Sequence, residues 1–137
     1  MTTMRTTARL GLLAGLLLAG AQAVAAQSGR PGQIANSQDT AQASVAALRG
    51  LDTLNGATED LALAVGETAR FGYLEIRLEA CRVPREAPAS DAYAFLVIRD
   101  VRDAAPRFSG WMFASSPALS ALDHPRYDVW VLSCSNP

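Results

Sequence analysis

The stretch Phe108 to Cys134, FSGWMFASSPALSALDHPRYDVWVLSC, constrains the fold most, because its residue pattern changes twice. Phe108, Gly110 and Met112 alternate with Ser109, Trp111 and Phe113, the period of two of a strand covered on both faces. Gly110 inside it predicts a bulge or a close backbone approach under the Trp111 ring. Ser115 and Ser116 before Pro117 have the order of a helix start, a hydroxyl to cap free N–H groups and a proline that needs no partner at the first helical position. His124-Pro125 ends that helix after one or two turns, since the residue before proline is pushed out of the α region. Tyr127, Val129 and Val131 then alternate with Asp128, Trp130, Leu132 and Cys134 in a second strand rich in β-branched and aromatic residues. The stretch holds five of the nine aromatic residues, the single His and one of the two Cys, so the remaining strands are expected to gather around it.

Upstream, Met1 to Ala26 has Arg5 and Arg9, an apolar run Leu10 to Leu18, and small residues ending in Ala23-Val24-Ala25-Ala26. That is the plan of a secretory signal peptide, and the apolar run is too short for a comfortable membrane span. Export to the periplasm or beyond is the expectation, with no integral span after cleavage. Residues 27–44 are polar and rich in Gly, Gln, Ser and Ala, and read as a flexible linker, with a short helix over Ala41 to Leu48 as the alternative. From residue 45 to Pro137 a single β-rich domain is expected. Leu61 to Val65 makes a short apolar strand closed by Gly66. Leu74, Ile76, Leu78 and Ala80 alternate with Tyr73, Glu75, Arg77, Glu79 and Cys81, which gives one core face and one wetter face. Pro84 to Ser90 is a loop. Ala92 to Val101, unusually apolar through Phe95 to Ile98, is expected to be a central strand.

Five or six strands with one short helix predict an all-β fold, a small antiparallel sandwich or partly open barrel. Removing residues 1–26 from 137 leaves 111 residues, and removing Arg5 and Arg9 from the 12 basic groups leaves ten arginines against 13 acids, a net charge of −3. An acidic domain of this kind has no electrostatic footprint for nucleic acid.

The Phe108 to Cys134 stretch resembles the C-terminal signature of a bacterial secreted family known as domain of unknown function 2155. LRGLD (Leu48 to Asp52), VGETARFG (Val65 to Gly72) and LEIRLEAC (Leu74 to Cys81) extend the likeness over nearly all of the domain. In that family a Lys often follows the Leu-Asp pair, and Thr53 stands there in this chain. The resemblance implies a domain type and brings no catalytic residues with it.

Cys81 and Cys134 both lie on expected strands of an exported chain, where oxidising conditions favour a disulfide. The bridge would close a loop of roughly 54 residues and stabilise by about 4 kcal/mol in the chain-entropy picture. A redox pair or a metal site is the alternative, but there is no C-x-x-C spacing, and two Cys with one His fall short of a four-ligand zinc set. No cofactor or metal is expected. His124 with Ser115 or Ser116 and the nearby acids could serve a small hydrolase, although proximity along a chain does not define a triad and no G-x-S-x-G elbow is present. The plainer role for His124 is a hydrogen-bonded corner. Glu75 and Glu79 beside Arg77 read as a cross-paired solvated strand face rather than a glycosidase pair. Trp111, His124 and Tyr127 are the candidate binding residues, with Trp130 expected in the core and Trp111 turned outward at a Gly110 bulge. The expected role is a non-enzymatic periplasmic module that binds an envelope protein or a cell-wall component. The hydrolase reading requires a serine hydroxyl within hydrogen-bond reach of His124 in a concave pocket.

Overall fold

The computed structural model describes residues 39–137. The expected signal peptide and the expected linker up to residue 38 lie outside the described residues. Eight strands follow in order: β1 (Thr40–Ala43), β2 (Val45–Asp52), β3 (Ala57–Ala64), β4 (Thr68–Phe71), β5 (Leu74–Pro84), β6 (Tyr93–Asp100), β7 (Phe108–Phe113) and β8 (Tyr127–Ser135). They form two antiparallel sheets, one with the order β1-β5-β6-β7 and β4 also on β5, the other β3-β2-β8. The all-β sandwich expected from the sequence is what is observed, with more strands. Three are additional: β1 and β4, four residues each and too short for alternation to betray them, and the eight-residue β2, which with β1 replaces the alternative helix over Ala41 to Leu48. β1 also replaces the last part of the expected linker. Thr40 to Ala43 pairs with Pro84 to Cys81, and β4 pairs with Arg77 to Leu74, so the two short strands share one edge of β5.

The core lies between the sheets. Leu74, Ile76 and Leu78 of β5, Leu96 and Ile98 of β6 and Met112 of β7 meet Leu48 of β2, Leu63 of β3 and Val129 and Val131 of β8, all essentially buried. At about 1.5–3 kcal/mol for each large apolar side chain removed from water, this layer is the main stabilising element.

Each Cys reaches that layer through a bulge in its own strand. In β5 the pairing with β6 shifts between Leu78 and Ala80, so Glu79 is an extra residue. In β8 the pairing with β2 steps from Val131 to Ser133, so Leu132 is extra. Strict alternation puts Cys81 on the side of Glu75 and Arg77, and Cys134 on the side of Trp130. Each extra residue reverses the sense, and both sulfurs turn inward. They form a disulfide with Cα atoms 5.9 Å apart that ties the two sheets together.

Trp130, expected in the core on the side of Cys134, faces out by alternation, and the extra Leu132 is what separates it from Cys134. Val129 and Val131 take the core side, and Trp130 is half-buried on the outer face of the three-stranded sheet, where Arg49 of β2 is its register partner. Gly110 is no bulge either. β7 pairs with β6 in unbroken register from Phe108 to Phe113, and a Cβ at Gly110 would make ordinary contact with the Phe108 ring, 3.6 Å away. Trp111 faces outward simply by alternation.

Between β7 and β8 the chain crosses from one sheet to the other through residues 114–126. The expected helix is here a single 3₁₀ turn, Pro117–Leu119, with proline at its start as anticipated. Ser116 at its N-terminus makes no side-chain cap. Because β7 ends beside Tyr93 while β8 starts beside Asp52, this strap runs back along the open side of the sandwich, and Leu122 dips into the core.

Candidate functional site

The strap is fastened at both ends by polar groups. At its start Asp91, just before β6, accepts from the Ser115 N–H (2.9 Å) and the Ser115 hydroxyl (2.7 Å). Burial alone would raise the Asp91 carboxyl, but the two bonds from Ser115 and one from the Ala92 N–H bring it below its ordinary value. Ser115 is thus committed to Asp91.

At its end the strap closes through His124, whose side chain is fully buried. Nδ1 accepts from the backbone N–H of Arg126 (3.1 Å) and of Tyr127 (3.0 Å). Those two bonds assign the ring proton to Nε2, which donates to Asp100 at 3.0 Å. Pro125 between them has no N–H to satisfy, so the side chain of His124 serves the whole corner. Asp100, at the end of β6 and fully buried, also accepts from the backbone N–H of Arg102 (2.9 Å), its Nε (2.9 Å) and its Nη2. The bonds from the Arg102 side chain, opposed by burial and aided by the backbone N–H and His124, hold the Asp100 carboxyl far below the usual carboxylate range.

Asp52 closes the same end of the sandwich from the other sheet. Arg126 donates to it through Nε (3.1 Å) and Nη2 (2.6 Å), and these bonds depress its carboxyl. Thr53 donates from its N–H (2.8 Å) and its hydroxyl (2.7 Å) to the Arg126 carbonyl. Tyr127 lies at the centre, stacked on His124 (5.2 Å) and edge-on to Phe71 (5.5 Å) and Tyr73 (6.4 Å). Arg102 covers the Tyr73 ring at 4.3 Å. Two glycines make room for these rings. A Cβ on Gly50 would lie 2.8 Å from the Phe71 ring, and one on Gly72 would meet the Tyr127 hydroxyl at 2.5 Å. LRGLD and VGETARFG therefore meet in space at this cluster.

The cluster is a saturated network. Both ring nitrogens of His124 are occupied, no serine is among their partners, and buried side-chain nitrogens and oxygens without a hydrogen bond are absent among the described residues. The geometry required of a His124 hydrolase is not met. Nor do any three of His, Cys, Asp and Glu among the described residues stand together as metal ligands.

Trp111 stands elsewhere. Of the three candidate binding residues, His124 and Tyr127 share the strap corner, while Trp111 is on the outer face of the five-stranded sheet. Register places four aromatic side chains there in two cross-strand pairs, Tyr93 with Phe113 and Phe95 with Trp111, each half-buried. Both pairs are edge-to-face, with centroids 5.8 and 5.5 Å apart. β5 extends the rows. Arg82 stands beside Tyr93, Ala80 beside Phe95 and Arg77 beside Val97. The charges at the far end of the face are internally paired, Arg99 and Arg70 with Glu75, and Arg77 with Glu79 (2.6 Å). Among the described residues Arg82 has no carboxylate partner; its Nε donates to the Thr40 hydroxyl at 2.7 Å.

Sequence alternation already marks Phe95 and Tyr93 as lying on one side of β6, but the run Phe95 to Ile98 reads as continuous core. The pairing of β6 with β7 is what assembles the four rings. Asp52, Asp100, Arg102, Arg126 and Tyr73 were not foreseen, since nothing local in sequence links the ends of β2 and β6 to the strap.

A family model described as "Uncharacterized protein conserved in bacteria (DUF2155)" matches residues 46–134, in agreement with the resemblance read from the sequence. The chain is also similar to the uncharacterized protein RP359 of Rickettsia prowazekii (strain Madrid E), 30% identical over 87 residues that cover 61% of this chain and 56% of that protein. It thus spans a little over half the length of that relative. No solved structure matches.

Proposed function

We propose that this chain, which belongs to the uncharacterized bacterial DUF2155 family, works as an exported, non-enzymatic interaction module of the cell envelope. The observation that carries the reading is the pair of half-buried, outward-facing aromatic couples on the outer face of the five-stranded sheet. Interaction surfaces are enriched in such rings, which combine large contact area with little side-chain entropy to lose. Export is supported by the signal-like leader and by the disulfide between the sheets. The saturated bonding of His124 supports a structural place for the residue that would otherwise anchor an enzyme.

The test is site-specific photocrosslinking in living cells that export the full chain. A crosslinking residue at exposed Ser109, on the aromatic face, is compared with one at exposed Glu59, on β3 of the other sheet. The expected result is an envelope adduct from position 109 that is weak or absent from position 59. Adducts from position 59 alone, or a chain retained in the cytoplasm, would overturn the reading.

A further inference from the structure

We propose that the aromatic face of the five-stranded sheet binds a glycan strand bearing carboxylate groups, with the rings stacking on the sugars and Arg82 pairing with a carboxylate. The inference rests on the interaction-module reading and names its ligand class.

The rows on this face have a definite order. Gln42, Arg82, Tyr93 and Phe113 lie across β1, β5, β6 and β7, and next to them Ala80, Phe95 and Trp111 lie across β5, β6 and β7. Neighbouring strands stand about 4.8 Å apart, and successive outward residues of a strand about 6.8 Å apart. The rings therefore form one continuous apolar patch, bordered by small Ala80 on one side and by Arg82 at its end. Through Ala80 and Arg82 the patch opens into a groove of about 480 Å³ that Gln42, Glu79 and Asn136 also line.

Two physical arguments select the occupant. The first is backbone chemistry. On a sheet face the protein's N–H and C=O groups are consumed within the plane of the sheet, so an extended peptide laid across it would find no main-chain partners; peptides are captured by sheet edges instead. A pyranose needs none. It offers an apolar C–H face to an aromatic ring and keeps its equatorial hydroxyls in water. The second is charge. The chain is acidic as a whole, yet this face carries Arg70, Arg77, Arg82 and Arg99 against Glu75 and Glu79, a surplus of two positive charges, or one when Asp91 at the rim is counted. Since Glu75 and Glu79 already engage the other three arginines, Arg82 is, among the described residues, the cation on this face without a carboxylate partner. A guanidinium beside an aromatic row is well placed to take a carboxylate in a forked pair.

The experiment uses the purified mature chain and two probes. One is peptidoglycan glycan freed of its stem peptides by amidase, which leaves a lactyl carboxylate on alternate sugars; the other is a neutral N-acetylglucosamine oligomer of similar length. Cosedimentation or calorimetry gives the affinities, and circular dichroism with thiol labelling confirms that each variant is folded and bridged. The expected result is binding of both probes, with the acidic glycan roughly tenfold tighter. Trp111→Ala should weaken both by about tenfold or more, whereas Arg82→Gln should bring the acidic glycan to the level of the neutral one. Binding that both variants leave unchanged would overturn the assignment to this face. Failure to bind either glycan while position 109 still crosslinks to an envelope protein would overturn the glycan inference and leave the module reading intact. Failure of both would remove both.

Discussion

His124 joins three groups at the strap corner, the N–H groups of Arg126 and Tyr127 and the carboxylate of Asp100. Replacing it by Ala orphans the N–H groups of Arg126 and Tyr127 and removes one donor from Asp100, so the loss should be about 1–3 kcal/mol, read as a shift in the urea midpoint. Export and envelope crosslinking should survive in whatever fraction still folds. Asp100 gives a second prediction through pH. Its folded carboxyl is held below the unfolded value of about 3.9, so it stabilises the fold fully above that value and progressively less as pH falls through and below it. Asp100→Asn should lower the melting temperature at neutral pH and flatten its fall between about pH 5 and pH 2. An unchanged acid limb in that variant would show that Asp100 is not among the titrating groups that matter.

At the scale of elements, the two bulges separate what was legible from what was not. Alternation along Leu74 to Leu78 and along Tyr127 to Val131 correctly defines core faces, because apolar residues recur with the pleat. It cannot locate Glu79 or Leu132 as extra residues, since a bulge is set by cross-strand pairing and leaves no fixed mark in sequence. This is why strand position and compartment led to the disulfide while simple alternation would turn both sulfurs outward, and why Trp130 was expected inside. β1 and β4 escaped for a related reason, as four-residue edge strands hold too few alternating positions, and β2 escaped because its small Ala46, Ala47 and Gly50 blunt the alternation. The disulfide between β5 and β8 predicts its own measurement. Cys81→Ser combined with Cys134→Ser should cost about 4 kcal/mol, seen as a lower urea midpoint, since the 53-residue separation is then unconstrained in the unfolded chain. A variant as stable as the parent would assign the clasp a role other than holding the sheets.

For the whole molecule, the sandwich separates its polar bonding from its half-buried aromatic face. One end is knotted by His124, Asp100, Arg102, Arg126 and Asp52, and the outer face of the five-stranded sheet presents Tyr93, Phe95, Trp111 and Phe113. The two tryptophans lie on outer faces of opposite sheets, which makes each the control for the other. Hydroxyl-radical footprinting of the chain, alone and within intact envelopes, therefore tests the central claim directly. The account predicts that Trp111 is oxidised readily in the isolated protein and protected in the envelope, while Trp130 is oxidised to the same extent in both. Equal oxidation of Trp111 in the two settings, or protection confined to Trp130, would contradict it.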